Sequence, residues 1–211
     1  MFTAGAPGSG KTYTVHQLFG LDQLEIIDLD KAMKGHPEFT AHARHEVYEK
    51  VEAYKWADAR VEELFQAALR RGADDDASVR ICVDGTGTNV ARQQRRMSEA
   101  RGAGFWVVCV HVHVAPEVCL ARNARRKRRV PRHVILDYLG KLESSVSEVL
   151  AAGLVDEYIR ADNSTDDTYR SEAERWQGCA AMIEGASATN RSIFDAEDED
   201  LEAVDANIHV P

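Results

Sequence analysis

The eight residues Gly5-Ala6-Pro7-Gly8-Ser9-Gly10-Lys11-Thr12 fit the pattern G-x-x-x-x-G-K-[ST] and follow an apolar stub, Met1 to Ala4, that can form a strand. In such a loop the glycines let backbone N–H groups converge on a phosphate, a lysine reaches the β and γ oxygens, and a hydroxyl holds Mg²⁺. Lys11 and Thr12 would be that lysine and that hydroxyl, so residues 5–12 are expected to bind a nucleoside triphosphate. The plain alternative is a glycine-rich turn before a helix. The motif also needs a helix behind it, and Val15, Leu18 and Phe19 recur at helical spacing, with Gly20 as a stop.

Carboxylates close two further apolar runs. The first run ends Ile26-Ile27-Asp28-Leu29-Asp30, about twenty residues after the loop. Asp28 and Asp30 would share one side of an extended segment, with Asp30 past the sheet as a base for an alcohol proton or as a substrate anchor. The alternative is that Asp30 caps a helix beginning at Lys31. The second run ends Ile81-Cys82-Val83-Asp84-Gly85-Thr86-Gly87-Thr88-Asn89. An acid after such a strand can hold Mg²⁺ or an acceptor, and Gly85 and Gly87 let the backbone pass close to that acceptor; alone, the segment could be a turn.

Charge is unevenly placed. Seven basic residues and no acidic one lie between Arg122 and Arg132, which reads either as a solvated helical face or as a lid over phosphates. Seven acidic residues and no basic one lie between Asp195 and Asp205, and they account for most of the formal net charge of −9. A nearly neutral body argues against whole-surface nucleic-acid binding and leaves a local anion site open. The four cysteines show no C-x-x-C spacing; Cys82 and Cys109 are expected as buried free thiols in core strands of a cytoplasmic protein. His111 and His113 alternate with valines as a strand does, and the sequence offers them no partner cluster for zinc. No apolar run approaches the ~18 residues of a membrane span, and the start does not read as a signal peptide.

Five apolar runs must position these groups: 1–4, 24–28, 79–83, 105–114 and 157–160. Helices are expected after Gly10 and over 41–71, 90–101, 116–126, 131–152 and 166–183. The 41–71 helix shows a helical apolar period ending at Gly72. Strands alternating with helices predict an α/β fold, a three-layer sandwich around a parallel five-stranded sheet. Residues 1–185 would form one domain with a lid at about 122–132, and 186–211 an acidic tail.

The loop, Asp30, the D-x-T-x-x-N run from Asp84 to Asn89 and the R-N-x-x-R-x-x-x-V-P run from Arg122 to Pro131 together resemble the P-loop kinase group of phage polynucleotide 5′-kinases and zeta-toxin kinases. The zeta pattern is echoed by Asp28-Leu29-Asp30 followed by His36-Pro37-Glu38-Phe39, although zeta proteins usually carry Glu where this chain has Asp84. The resemblance covers about residues 1–163. It implies a P-loop NTPase fold and an ATP- and Mg²⁺-dependent kinase acting on a hydroxyl of DNA or a nucleotide, 5-hydroxymethyluracil in phage DNA included. Residues 5–12 with Arg122 and Arg126 would bind ATP, and Thr12 and Asp84 would hold the metal. Asp30 would be the general base, and Asp28, Asp84, Thr86 and Asn89 would surround the acceptor. A zeta-like UDP-N-acetylglucosamine kinase and an NTPase switch are the alternatives. The location implied is the cytoplasm, the host's if the chain is viral.

Overall fold

The computed structural model describes residues 1–20, 24–39, 50–73, 79–126 and 129–164. Its strands are β1 (Phe2–Ala4), β2 (Glu25–Asp28), β3 (Ile81–Asp84), β4 (Val108–His113) and β5 (Glu157–Asp162). They pair in parallel in the order β2-β3-β1-β4-β5. Parallel neighbours need crossovers. The described helices are α1 (Lys11–Phe19), α2 (Leu29–Lys34), α3 (Val51–Ala73), α4 (Val90–Gly102), α5 (Pro116–Arg125) and α6 (Arg132–Ala151). The chain leaves β1 for one side of the sheet and later returns to the other, so the loop after β1 lies at the switch point where open α/β sheets gather ligands.

The two faces follow from strand alternation. Phe2, Ile27, Ile81, Val83 and Cys109 pack with α3, with Met97 of α4 and with Val149 of α6. Phe65 of α3 meets Phe2 edge-on, with ring centroids 6.2 Å apart. Val110, Val112 and Ile159 point the other way, onto Leu18 of α1. On β4 this sends His111 toward α6, where it is fully buried with Nδ1 3.0 Å from the Tyr158 hydroxyl. Burial holds its imidazole below the ordinary histidine pKa, so the ring is neutral at pH 7.

Helices α3 and α4 are joined by charge as well as packing. Glu62 accepts hydrogen bonds from Arg95, Arg96 and Gln66, and the Arg96 guanidinium lies 5.7 Å from the Phe65 ring centroid. The Arg95 hydrogen bond is the main cause that pulls the Glu62 carboxyl down to about 2.

Several boundaries differ from those expected. Gly72 does not stop α3, which runs through it to Ala73; a Cβ at Gly72 would strike the Phe105 ring, so the glycine serves packing. Phe105 N donates to Ala100 O and Val107 N to Asp156 Oδ2, so their backbones are bonded outside the sheet and β4 starts at Val108. The chain turns helical at Leu29, so Asp28 ends β2 while Asp30 sits in the first turn of α2, and the two do not share an extended segment. Part of the expected 41–71 helix, the 166–183 helix, Cys179 and the acidic tail lie outside the described residues. Cys82, Cys109 and Cys119 are buried and free. No described helix is long and apolar enough to cross a membrane.

Candidate active site

The loop after β1 is shaped by glycines at positions other side chains could not occupy. Gly8 and Gly10 have φ of 90° and 81°, and a Cβ on Gly8 would stand 2.8 Å from the Cys119 carbonyl oxygen. A Cβ on Gly10 would strike the Asn163 amide. The loop is braced from three directions. Gly5 N donates to Thr86 O at 3.0 Å, Cys119 Sγ donates to Pro7 O at 2.9 Å, and Asn163 Nδ2 donates to Ser9 O at 2.8 Å. Lys11 extends back along the loop and donates to the Gly5 and Ala6 carbonyls at 3.1 and 3.4 Å.

The acids stand at neighbouring strand ends, because β2 and β3 pair with Asp28 opposite Asp84. Thr12 Oγ1 donates to Asp84 Oδ2 at 3.2 Å, and Thr3 Oγ1 donates to Asp84 Oδ1 at 2.6 Å while accepting from Gly85 N at 2.9 Å. Loop hydroxyl and strand-end acid are thereby brought close enough to share one cation. Asp28, not Asp30, caps α2, with its carboxylate accepting from Asp30 N at 3.0 Å and Lys31 N at 3.1 Å. Burial, and then the charge of Asp84, push the Asp28 carboxyl up to about 6. Asn89 Oδ1 accepts from Arg92 N and caps α4, and Thr86 Oγ1 lies 3.1 Å from Thr88 Oγ1. Gly87 has φ 77°, and a Cβ there would stand 2.5 Å from that of Ala4. The turn after Asp84 therefore lies directly on β1.

Two buried polar atoms in this region have no hydrogen-bond partner among the described residues, Ser9 Oγ and Arg122 Nη1. Both border the loop: Arg122 Nη1 is 3.8 Å from where a Gly10 Cβ would lie, and Ser9 Oγ is 2.7 Å from the corresponding position at Gly5. Buried donors without acceptors are costly, and a bound phosphate supplies acceptors. The residues present thus fit a nucleotide phosphate with its metal ion. Arg126 is exposed at the end of α5, yet its charge reaches Cys119 together with those of Lys11 and Arg122. These three cations offset part of the rise that burial imposes on the Cys119 thiol.

Sequence reasoning passed over Thr3, Cys119, Asn123 and Asn163. Asn123 exchanges two hydrogen bonds with the Val130 backbone, Nδ2 to O at 2.9 Å and N to Oδ1 at 3.0 Å, and ties the end of α5 to the residue before Pro131. Its place one residue after Arg122 in the R-N pattern was the available signal. Thr3, Cys119 and Asn163 carried none, because only tertiary contact makes Thr3 a partner of Asp84 and makes Cys119 and Asn163 loop braces. Beyond Thr88 an open cleft of about 500 Å³ is lined by His133, Val134, Asp137, Tyr138 and Lys141 of α6.

Comparison with known proteins agrees with this geometry. A family model described as AAA domain matches residues 1–145. No curated protein is detectably similar to the chain. Among solved structures, one from the PezAT chromosomal toxin–antitoxin system of Streptococcus pneumoniae is 14% identical with a TM-score of 0.57, over 96% of this chain and 85% of that one. Shikimate kinase from Acinetobacter baumannii is 15% identical with a TM-score of 0.52, over 88% and 94% of the two chains. A sugar kinase from Janibacter sp. is 19% identical with a TM-score of 0.52, over 88% and 97%. At such identities the likeness is one of fold. With most of its length matched by the family model and its loop, strand order and strand-end acids arranged as described, the chain belongs to the AAA domain family and carries the P-loop kinase-like fold.

Proposed function

We propose that the chain is an ATP-dependent kinase transferring the γ-phosphate to a hydroxyl carried by DNA or a nucleotide. The observation that carries this reading is the buried, unpaired Nη1 of Arg122 beside a glycine loop whose opposite side holds Asp84 and Asp28. Anion-binding groups and carboxylates thus flank one opening, which suits transfer between a phosphate and an alcohol. The D-x-T-x-x-N and R-N-x-x-R-x-x-x-V-P runs support a nucleic-acid or nucleotide acceptor by resemblance.

Thr12 and Asp84 are the residues that would hold Mg²⁺, which would supply neutralisation of the phosphate charge. Loop amides other than those of Gly5 and Ser9, which donate to Thr86 O and Ala6 O, hold the phosphates, Pro7 having none, and Lys11 exchanges the Gly5 and Ala6 carbonyls for them. Arg122 donates its free Nη1 to the charge that develops on the migrating group, and Arg126 reaches in from the surface. The acceptor oxygen forms a bond to the γ-phosphorus as the bridging P–O bond to ADP breaks, and Asp30 takes the hydroxyl proton. Asp28 holds the first turn of α2 so that Asp30 is presented, and Thr86 and Asn89 border the acceptor.

The test is transfer from labelled ATP to a panel of hydroxymethyluracil DNA, 5′-hydroxyl DNA and RNA, and UDP-N-acetylglucosamine, with Lys11→Ala as control. Labelling of a DNA or nucleotide acceptor, reduced at least a hundredfold in the variant, is expected. Labelling of the sugar nucleotide alone would move the chain to the zeta-like reading, suggested by Asp28-Leu29-Asp30 and His36-Pro37-Glu38-Phe39. ATP turnover indifferent to every acceptor would favour a switch.

A further inference from the structure

The alternation of β4 leaves His111 and His113 on the same side of the sheet, beneath α6, and α6 brings Glu143 over them. His111 Nε2, His113 Nδ1 and a Glu143 carboxylate oxygen all lie within 4.8 Å of one another. The separations are 3.4 Å from His113 Nδ1 to Glu143 Oε1 and 3.9 Å from His111 Nε2 to the same oxygen. Both are long for an N–H···O hydrogen bond. They are close to the ~3.3 Å between ligand atoms that tetrahedral bonds of about 2.0–2.1 Å impose around zinc.

A second observation points into the same space. His111 is fully buried, yet its Nε2 has no hydrogen-bond partner among the described residues. Its other nitrogen faces the Tyr158 hydroxyl at 3.0 Å. A proton on Nδ1 shared with that hydroxyl leaves the Nε2 lone pair directed at His113 and Glu143. Metal-binding histidines are commonly oriented in this way, through the nitrogen that does not bind. We infer that His111, His113 and Glu143 form a binding site for a borderline divalent cation, Zn²⁺ being the best match to two imidazoles and one carboxylate, with water completing a four-coordinate shell.

The opposing term is Arg160 on edge strand β5, whose Nη2 lies 3.7 Å from Glu143 Oε1. Its side chain is 45% exposed, so it can swing into solvent when a cation takes the carboxylate. A bound ion would clamp α6 to β4. Since α6 also carries His133, Asp137, Tyr138 and Lys141 along the open cleft, the clamp would fix one wall of that cleft. The site shares no residue with the phosphate loop or its acids, and its existence does not depend on the chain being a kinase.

Co²⁺ is the probe, added to the untagged full chain in excess Mg²⁺, which occupies oxygen-ligand sites at the loop. One equivalent should bind with the intense d–d absorption of a tetrahedral centre, and Zn²⁺ should displace it. His113→Ala and Glu143→Gln should each lose the spectrum and weaken binding at least a hundredfold, while Arg160→Gln should tighten it. Both histidine and glutamate variants change partly exposed side chains, and circular dichroism checks that they fold. No tetrahedral spectrum, a spectrum unchanged by either substitution, or a thiolate charge-transfer band marking cysteine ligands would each overturn the assignment.

Discussion

Asp28 and Asp30 are two residues apart and do different work. Asp28 is tied to the backbone of α2, while Asp30 is carried in the first helical turn beyond it. As the proposed base, Asp30 acts mainly in the transition state, so Asp30→Asn should lower kcat by about a hundredfold or more with ATP KM nearly unchanged. Asp28→Asn should lower kcat less; steady-state kinetics of both variants decides, and the reverse order would move the base to Asp28. The same substitution makes a stability prediction. The folded-state pKa of Asp28 is raised from 3.8 to about 6, so its ionised form is disfavoured by folding. That penalty is absent below pH ~4 and fully present above pH ~6. Asparagine drops the charge and keeps one of the two cap hydrogen bonds, since its amide nitrogen cannot accept. Asp28→Asn should therefore unfold at higher denaturant than wild type at pH 7, by on the order of 1–3 kcal/mol, and show no gain at pH 4.

Among the elements, the α3–α4 contact has its own pH signature. Glu62 is depressed from 4.5 to about 2, so the stability it contributes is present above pH ~4.5 and lost as pH falls toward 2. Acid titration followed by circular dichroism should find Glu62→Gln less stable than wild type at pH 7, with the difference shrinking below pH 4.5. The effect should be modest, since the carboxyl is partly solvated. These same elements show how far the sequence could be read. The loop, the strand ends at Asp28 and Asp84 and the alternating strand around His111 were legible, because glycine spacing and apolar periodicity are local signals. Leu29 and Asp30 read either as an extension of β2 or as the approach to a helix beginning at Lys31; which holds depends on the cap, and Asp28 and Asp30 are both suitable residue types. Gly72 reads as a stop, whereas its meaning is the Phe105 ring that arrives from thirty-three residues later. Glu143 gave no sign of meeting His111 and His113, because that meeting depends on how α6 crosses the sheet.

For the molecule as a whole, the phosphate loop is where β1, β3, α5 and the end of β5 are joined through Gly5, Thr86, Pro7, Cys119, Ser9 and Asn163. A ligand held there should stabilise the whole chain and not the loop alone. At a hundred times its dissociation constant, a non-hydrolysable ATP analogue with Mg²⁺ should add about 2.7 kcal/mol, which corresponds to a rise in Tm of roughly 5–10 °C for a chain of this size. Thermal melts should show that rise in wild type and lose most of it in Lys11→Ala; an equal rise in both would place the nucleotide elsewhere.

The contact between Gly10 and Asn163 has a consequence for how such a chain can change over generations. Ser9 and Asn163 are 154 positions apart, yet the amide that holds the Ser9 carbonyl occupies the volume a side chain at position 10 would need. Enlarging residue 10 expels the amide, and losing the amide leaves a buried carbonyl without its donor, so neither position is open to neutral drift by itself. Change at either position therefore calls for compensation at the other, and a chain cut short ahead of Asn163 gives up the brace along with the residue.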